Sequence, residues 1–305
     1  MKFHPVYPSD FHRLESYATR QPYPLCVYSL PCILVWRNVQ YHPEAAEWEN
    51  LLLVAARFPE QPEKNHLILP FAPGQEPLDP ERLWRLARKA GFIQYSSVPQ
   101  EYLDRFPRHT VEKWFHISRE KGYDDYIYRQ SDLAQLPGNR YAKKRNLINQ
   151  FHRDYIATGR VTLEAVQGNN IAECRAFLEE WCLQRDCSQE DNLDLACEKE
   201  AAHNMLADYA HMDVQGLVAR IDGEVQAFGI GARLTARMGV LHFEKAMGSI
   251  KGLYQYFDRE CARRIFAGYE YINKESDMEV PGLARAKKSY HPVYMVRAHQ
   301  LRVKE

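Results

Sequence analysis

Hydrophobic and polar positions follow two different periods along the chain, and the pattern is clearest in the second half. Residues 217–221, 225–234 and 239–245 alternate with a period of two, and Asp222-Gly223 separates the first two runs. Asp-Gly between alternating runs is typical of a type I′ hairpin, because both central residues of that turn take positive φ. The pattern therefore predicts a three-stranded antiparallel meander.

The remaining periodic segments predict strands and helices on both sides of residue 159. In the first half we expect strands at 32–36, 51–58, 66–71, 114–117 and 124–129, and helices over 80–90, 100–106 and 139–157. In the second half we expect strands at 161–166 and 269–273 beside the meander, and helices over 171–185, 195–209, 250–266 and 282–290. Strand, two helices, meander, helix, strand is the order of an acetyltransferase (GNAT) fold. We therefore predict an α/β protein with mixed sheets, built as two tandem acetyltransferase-like domains, residues 1–159 and 160–305.

One charged residue interrupts the apolar face of the helix predicted over residues 139–157. At about 100° per residue, the apolar stripe consists of Tyr141, Leu147, Ile148, Phe151 and Tyr155. Lys144 falls in the middle of that stripe. A lysine in such a position either extends its ammonium to solvent or has a functional partner. We expect Lys144 to face the junction of the two domains and to contact a carboxylate or a cleft.

Composition and charge mainly exclude function classes. The 40 basic and 40 acidic residues cancel over 305 positions, so a global field for polyanions is not expected. The seven cysteines show no zinc-module spacing, and we expect a reduced, cytoplasmic protein without a metal. The first ten residues lack the apolar core of a signal peptide, and the longest apolar run, residues 25–36, is too short to span a bilayer.

Candidate chemistry begins at the end of the meander. In HFEKA, His242 and Glu244 share one face of a strand and Lys245 lies on the other, which fits either a polar pair at a cleft or a half-solvated strand. In MGSIKGLYQYF, Lys251 and Gly252 stand at the start of a helix. Free N–H groups and the helix dipole favour an anion there, as for the cofactor pyrophosphate of acetyltransferase folds. Simple helix capping explains the same residues equally well.

The densest polar segment is YINKESDMEVPGLARAKKSYHP, residues 271–292. Asn273, Glu275 and Asp277 follow the end of a predicted strand, where the sites of α/β proteins usually lie. Lys287 and Tyr290 share the apolar face of the short helix beyond. A buried lysine needs a partner, so Lys287 is a second candidate site residue beside Lys144.

Four segments together resemble one bacterial family: DYIY (125–128), GNRYAKKRNLINQF (138–151), HFEKAMGSIKGLYQ (242–255) and the segment 271–292. They are similar to the C-terminal domain of phosphatidylglycerol lysyltransferase. The resemblance implies a tandem acetyltransferase-like fold like that of the Fem peptidoglycan aminoacyltransferases, in which an aminoacyl-tRNA delivers an amino acid to an amine or hydroxyl. It also implies that Asp277 and Lys287 line the transfer site. The family usually has Gly-Leu-Arg where this chain has Gly282-Leu283-Ala284, and the segments resemble no membrane-spanning part of the lysyltransferases, so a lipid acceptor is not implied.

The resulting hypothesis is an acyl- or aminoacyl-transferase without a tightly bound cofactor. Its donor is aminoacyl-tRNA, and its acceptor is an amine or hydroxyl of a small molecule, a peptide or a lipid head group. Asp277 or Glu244 would position or deprotonate the acceptor, and Lys287 would stabilise the oxyanion. The expected donor- and substrate-binding residues, with the tRNA acceptor end at the first three, are Lys144, Arg145, Asn149, His242, Lys245, Lys251, Gly252, Asn273, Glu275 and Tyr290. Two alternatives stay open: an N-acyltransferase that uses acyl-CoA, and a non-catalytic binding protein, which Ala284 favours.

Overall fold

The computed structural model describes residues 1–74, 76–184 and 193–305, without the side chains of 193–196. Its strands are β1 (His4–Pro5), β2 (His42–Trp48), β3 (Leu51–Arg57), β4 (His66–Leu67), β5 (Gln94–Pro99), β6 (Phe115–Arg119), β7 (Asp125–Arg129), β8 (Val161–Ala165), β9 (Val214–Ile221), β10 (Glu224–Arg233), β11 (Met238–Ala246), β12 (Tyr271–Asn273), β13 (Tyr294–Val296) and β14 (Ala298–Val303). Its α-helices are α1 (Phe11–Ala18), α2 (Leu30–Val35), α3 (Pro80–Ala90), α4 (Gln100–Leu103), α5 (Arg108–Glu112), α6 (Gln130–Gln135), α7 (Ala142–Phe151), α8 (Ile171–Leu183), α9 (Leu193–Ala207), α10 (Leu253–Arg264) and α11 (Pro281–Lys288).

The strands form two seven-stranded mixed sheets, as the α/β prediction requires. The first has the order β1-β2-β3-β4-β5-β14-β6, and the second has the order β13-β7-β12-β11-β10-β9-β8. Two strands lie in the sheet of the other half. Strand β7 belongs to the second sheet, and β14 inserts between β5 and β6 of the first. The sheets therefore do not separate at one residue, and the boundary between residues 159 and 160 stays a prediction.

The predicted meander is present as β9, β10 and β11. Asp222 and Gly223 have φ values of 54° and 89°, as a type I′ turn requires. The helix predicted over 139–157 appears as α7, followed by a π-helical turn over His152–Ile156. These elements formed where they were expected because their sequence periods and turn residues agree.

Several first-half predictions need correction. The strand expected at residues 32–36 is part of helix α2. Pro31 lies in the first turn of this helix, where its missing N–H costs nothing, and a fully buried run has no period that distinguishes a helix from a strand. The strand expected at residues 66–71 is only β4, with an isolated bridge between Leu52 and Phe71. The elements α1, β2, β5, β13 and β14 were not predicted.

One feature of the second sheet leaves room for a site. Strands β11 and β12 are parallel and pair only from Met238↔Tyr271 to Val240↔Asn273. Beyond that pair β11 continues to Ala246, whereas the chain after β12 turns away towards α11. Helices α7 and α10 pack against each other beside this divergence. Polar side chains that follow the ends of these elements therefore meet there.

Candidate functional site

Three charged side chains meet where β11 and β12 diverge: Glu244 on β11, Asp258 on α10 and Lys274 after β12. The Lys274 Nζ lies 2.9 Å from Glu244 Oε2 and 2.7 Å from Asp258 Oδ1. The exposed side-chain fractions are 13% for Lys274 and Glu244 and 4% for Asp258. We call these three residues the divergence cluster. Glu244 and Lys274 thus keep a small exposed fraction, whereas Asp258 is almost enclosed.

The cluster holds two carboxylates around one ammonium, and this shifts both kinds of group. Burial and the neighbouring Asp258 raise the pKa of Glu244 to about 7, although Lys274 opposes the shift. Burial lowers the pKa of Lys274, but the Asp258 and Glu244 carboxylates outweigh it and the pKa is raised overall. Lys274 therefore stays charged near neutral pH, and Glu244 exchanges its proton there.

Lys144 and Tyr290 form the outer side of the divergence cluster. The Lys144 Nζ donates to Ser289 Oγ at 2.7 Å and lies 3.7 Å from the centre of the Tyr290 ring. Within the described ranges this ammonium forms no ion pair, and burial lowers its pKa. Burial and the carboxylates of Asp258 and Glu244 raise the pKa of the Tyr290 phenol. Lys144 thus points to the contact of α7 with α11 rather than into open solvent.

A second polar group joins the two halves of the chain beside this cluster. His242 Nε2 lies 2.9 Å from Ser29 Oγ, and His242 Nδ1 lies 2.9 Å from Glu275 Oε1. Ser29 and His242 are only 1% and 4% exposed. Ser29 belongs to the first half, directly before α2, whereas His242 is on β11 and Glu275 follows β12. We call Ser29, His242 and Glu275 the junction triad.

Asn273 and Asp125 support the junction triad from below. The Asn273 amide donates to Asp125 Oδ2 at 2.7 Å and to the Pro24 carbonyl at 2.8 Å, and its Oδ1 accepts the Glu275 N–H at 2.6 Å. Burial raises the pKa of Asp125 to about 6, although hydrogen bonds from Asn273 and from the Cys26 N–H oppose the shift. Asn273 therefore fixes the backbone that carries Glu275.

Lys287 and Asp277 hold the segment that follows β12. The Lys287 Nζ donates to the main-chain carbonyls of Lys274 at 2.6 Å, Glu275 at 3.2 Å and Ser276 at 2.5 Å. Asp277 accepts the Tyr126 hydroxyl at 2.5 Å. Burial lowers the pKa of Lys287. Both side chains thus order the backbone of residues 274–277, and their expected roles in transfer stay predictions.

Other candidates lie away from the divergence cluster. Lys245 is on the opposite face of β11, in an ion pair with Glu198 at 2.6 Å. Arg145 donates to the carbonyls of Leu136 and Gly138. Asn149 and Lys251 are exposed.

Gly252 adopts a φ of +85° at the start of α10, and a Cβ there would lie 2.3 Å from the Leu147 carbonyl oxygen. Of the expected site residues, the structure brings six together at the two clusters. Glu244 belongs to the divergence cluster, with Lys144 and Tyr290 on its outer side. His242 and Glu275 belong to the junction triad, and Asn273 supports it.

Sequence reasoning missed Ser29 of the junction triad, Asp258 and Lys274 of the divergence cluster, and two residues beside the triad, Cys32 and Asp125. Asp258 had a usable signal, because it lies among the apolar positions of the helix predicted over 250–266, as Lys144 does in its helix. Ser29 and Cys32 had none, since their segment was expected to be a strand. Lys274 faces the cluster only because the strands diverge after Asn273, which no local pattern encodes.

Comparison with known sequences shows the family to which a chain with this fold and these clusters belongs. The sequence profile of the family described as "Phosphatidylglycerol lysyltransferase, C-terminal" matches residues 33–298. The chain belongs to this family. No curated protein sequence matches it.

Two solved structures share the fold of this chain, and a third is a weaker match. A protein of unknown function from Bacteroides thetaiotaomicron has a TM-score of 0.87 at 26% identity, with 100% of both chains covered. The C-terminal domain of a protein assigned as a lysylphosphatidylglycerol synthetase from Agrobacterium fabrum has a TM-score of 0.64 at 14% identity, covering 96% of this chain and 90% of that one. A tandem GNAT protein from the clavulanic acid biosynthesis pathway has a TM-score of 0.45 at 9% identity, covering 99% and 98%.

The predicted family is confirmed, and the two mixed sheets confirm the predicted α/β fold class. Membership of a family named for a lysyltransferase indicates an acyl- or aminoacyl-transferase-like fold. Among the residues that the structure describes, no helix has both the length and the hydropathy needed to cross a bilayer.

Proposed function

We propose that this protein transfers an aminoacyl group from aminoacyl-tRNA to an amine or hydroxyl acceptor at the divergence cluster. The observation that carries the proposal is the placement of Glu244, Lys274 and Asp258 where two parallel strands separate, in a family named for a lysyltransferase. Charged groups in a partly exposed, low-dielectric position are suited to acid–base chemistry. Phosphatidylglycerol, the lipid in the family name, is the first acceptor to test.

The chemistry needs few groups, because an aminoacyl ester is already activated. The acceptor N–H or O–H attacks the ester carbonyl, its proton passes to Glu244, and the bond from the carbonyl carbon to the ribose oxygen breaks. The ribose oxygen leaves with the proton that Glu244 took from the acceptor, which regenerates the Glu244 carboxylate. Lys274 keeps its charge beside both carboxylates, and Lys144 stabilises the oxyanion of the tetrahedral intermediate from the exposed side. Lys287 and Asp277 position residues 274–277.

The surroundings of Lys144 favour a tRNA end as the donor. Four basic residues around Lys144 are exposed: Lys143 on α7, Lys251 just before α10, and Arg285 and Lys288 on α11. Such residues contact backbone phosphates without reading sequence. The expectation that Lys144 itself contacts the acceptor end belongs to this proposal.

The contact between α7 and α10 disfavours acyl-CoA. The Leu147 carbonyl oxygen lies against Gly252 at the N-terminus of α10. A pyrophosphate at that helix end would meet a carbonyl oxygen instead of free space, and two acceptors repel each other. The acyl-CoA alternative would therefore need α7 to move.

The test is an aminoacyl transfer assay with lysyl-tRNA carrying radiolabelled lysine and phosphatidylglycerol vesicles. We expect labelled lipid with the wild type and a rate at least about 100-fold lower for Glu244→Gln, since a positioned general base contributes about 10²–10⁴. Glu224→Gln, the same change at an exposed residue of β10, should keep the wild-type rate. A pool of all aminoacyl-tRNAs and a soluble amine extend the assay to other donors and acceptors. Turnover of acetyl-CoA with no transfer from any aminoacyl-tRNA would overturn the proposal.

A further inference from the structure

A cysteine of the first half lies against the junction triad. Cys32, on α2, is buried beside His242 and Glu275. One donor atom of each, the Cys32 sulfur, a His242 ring nitrogen and a Glu275 carboxylate oxygen, lie within 4.8 Å of one another. Three different elements thus direct a sulfur, a nitrogen and an oxygen towards one point.

This donor set suits a particular kind of cation. Zn²⁺ binds thiolate, imidazole and carboxylate at about 2.0–2.3 Å, so the ligand atoms of a tetrahedral site stand roughly 3.5 Å apart. The three donor atoms are at most 4.8 Å apart, and His242 Nδ1 lies 2.9 Å from Glu275 Oε1, so side-chain adjustments of about 1 Å reach this spacing. Hard cations such as Mg²⁺ and Ca²⁺ prefer oxygen ligands alone and fit this set poorly.

The groups around the donors are arranged as supports for metal ligands. Ser29 Oγ lies 2.9 Å from His242 Nε2, so a metal ion would bind the ring through Nδ1, which lies 2.9 Å from Glu275 Oε1. A histidine that binds metal through one nitrogen is usually oriented by a hydrogen bond at the other. Glu275 has a φ of +59°, a conformation that a non-glycine residue adopts at a cost, and Asn273 holds it there.

Charge favours a cation at the same point. Asp125 is fully buried and Glu275 is 19% exposed on its side chain. Within the described ranges, neither carboxylate forms an ion pair with a lysine or an arginine. Lys287 is nearby, but its N–H groups are directed to main-chain carbonyls. A divalent cation would offset the charge of these carboxylates and would enter past Glu275.

We propose that Cys32, His242 and Glu275 bind one Zn²⁺, with water as a fourth ligand, and that this ion cross-links the two halves of the chain. Sequence spacing did not indicate this site, because the ligands are far apart along the chain and follow no metal-binding pattern. The site is separate from the divergence cluster, so its test needs neither tRNA nor an acceptor.

Co²⁺ titration of the chelator-treated full chain tests this site, because Co²⁺ replaces Zn²⁺ and reports thiolate binding by an intense near-ultraviolet band. We expect about one Co²⁺ per chain, with the band lost in Cys32→Ser and kept in Cys174→Ser, a buried thiol on α8. Zn²⁺ should displace the Co²⁺ and abolish the band.

A second variant tests the site independently, in case Cys32→Ser does not fold. Glu275→Gln keeps the thiol and should weaken Zn²⁺ binding at least about tenfold, the usual lower effect of a changed metal site. Far-ultraviolet circular dichroism checks that both variants are folded. Absence of the band in wild type at excess Co²⁺, or equal Zn²⁺ affinity in wild type, Cys32→Ser and Glu275→Gln, would overturn the proposal.

Discussion

At the scale of single residues, four lysines of similar sequence context have four different partners. Lys274 pairs with two carboxylates, Lys245 pairs with Glu198, Lys287 donates to three carbonyls, and Lys144 contacts a hydroxyl and an aromatic ring. The helical stripe predicted that two of them, Lys144 and Lys287, point inwards. It did not predict the partners, because those come from loops whose course depends on the sheet.

Lys287 is the clearest case for measurement at this scale. Lys287→Met removes three charge-assisted hydrogen bonds and leaves partly buried carbonyls without that donor, so we expect a loss of about 1–3 kcal/mol in the free energy of unfolding. Urea denaturation measures it. Lys288→Met changes an exposed neighbour on the same helix and should stay within about 0.5 kcal/mol of wild type. Equal effects of the two substitutions would contradict the role assigned to Lys287.

At the scale of elements, helix ends and strand ends decide where chemistry is available. The N-terminus of α10 is covered by the main chain of α7, whereas the side chains of Glu244 on β11 and Lys274 after β12 are each 13% exposed. Sequence pattern located both places, since the meander and the helix after it have strong periods. The sequence pattern did not predict whether the helix N-terminus or the strand ends would be accessible, because that depends on the packing of α7 against α10 across the two halves.

The α7–α10 contact makes a prediction about two glycines. Both Gly252 and Gly268 have φ near +90°, but only at Gly252 would a Cβ overlap another atom. Gly268→Ala should therefore cost about 1–2 kcal/mol from the left-handed backbone alone. Gly252→Ala should cost about 1–3 kcal/mol more, as added atoms do in a closely packed region.

Thermal unfolding compares the two glycine variants directly. A larger fall in Tm for Gly268→Ala than for Gly252→Ala would mean that α7 does not press on the start of α10 as described.

The error at α2 shows where local pattern fails for an element. Its six buried residues read as a strand because a short apolar run has no visible period. The error also hid part of the site, since Ser29 precedes this helix and Cys32 lies on it. The strongly patterned second half put His242 and Glu244 on a strand, and Asn273 and Glu275 at the end of another. One of the three members of the divergence cluster and two of the three members of the junction triad were therefore within reach of sequence.

At the scale of the whole molecule, the exchange of β7 and β14 joins the two halves. Each sheet contains a strand from the other part of the chain, and the junction triad adds polar contacts across the same boundary. Neither half can complete its sheet alone. The tandem arrangement in sequence is therefore not a pair of independent folding units.

This exchange predicts one cooperative unfolding transition. Four of the five tryptophans precede residue 159, so tryptophan fluorescence reports mainly the first half, while far-ultraviolet circular dichroism reports both. The two urea curves should coincide, as they do for two-state unfolding, and a fragment of residues 1–159 should not give a folded spectrum. Separate midpoints for the two probes would show that the halves unfold independently.

The position of β14 also sets the order of events while the chain is made on the ribosome. Strands β5 and β6 are complete long before residues 298–303 emerge, yet β14 is the strand that lies between them. Until then each presents an unpaired edge, the kind of surface that pairs with other chains. In the nascent N-terminal half these two strand edges therefore stay unpaired until β14 is synthesised. Any pause in translation before residue 298 lengthens the period in which they can pair with other chains and aggregate.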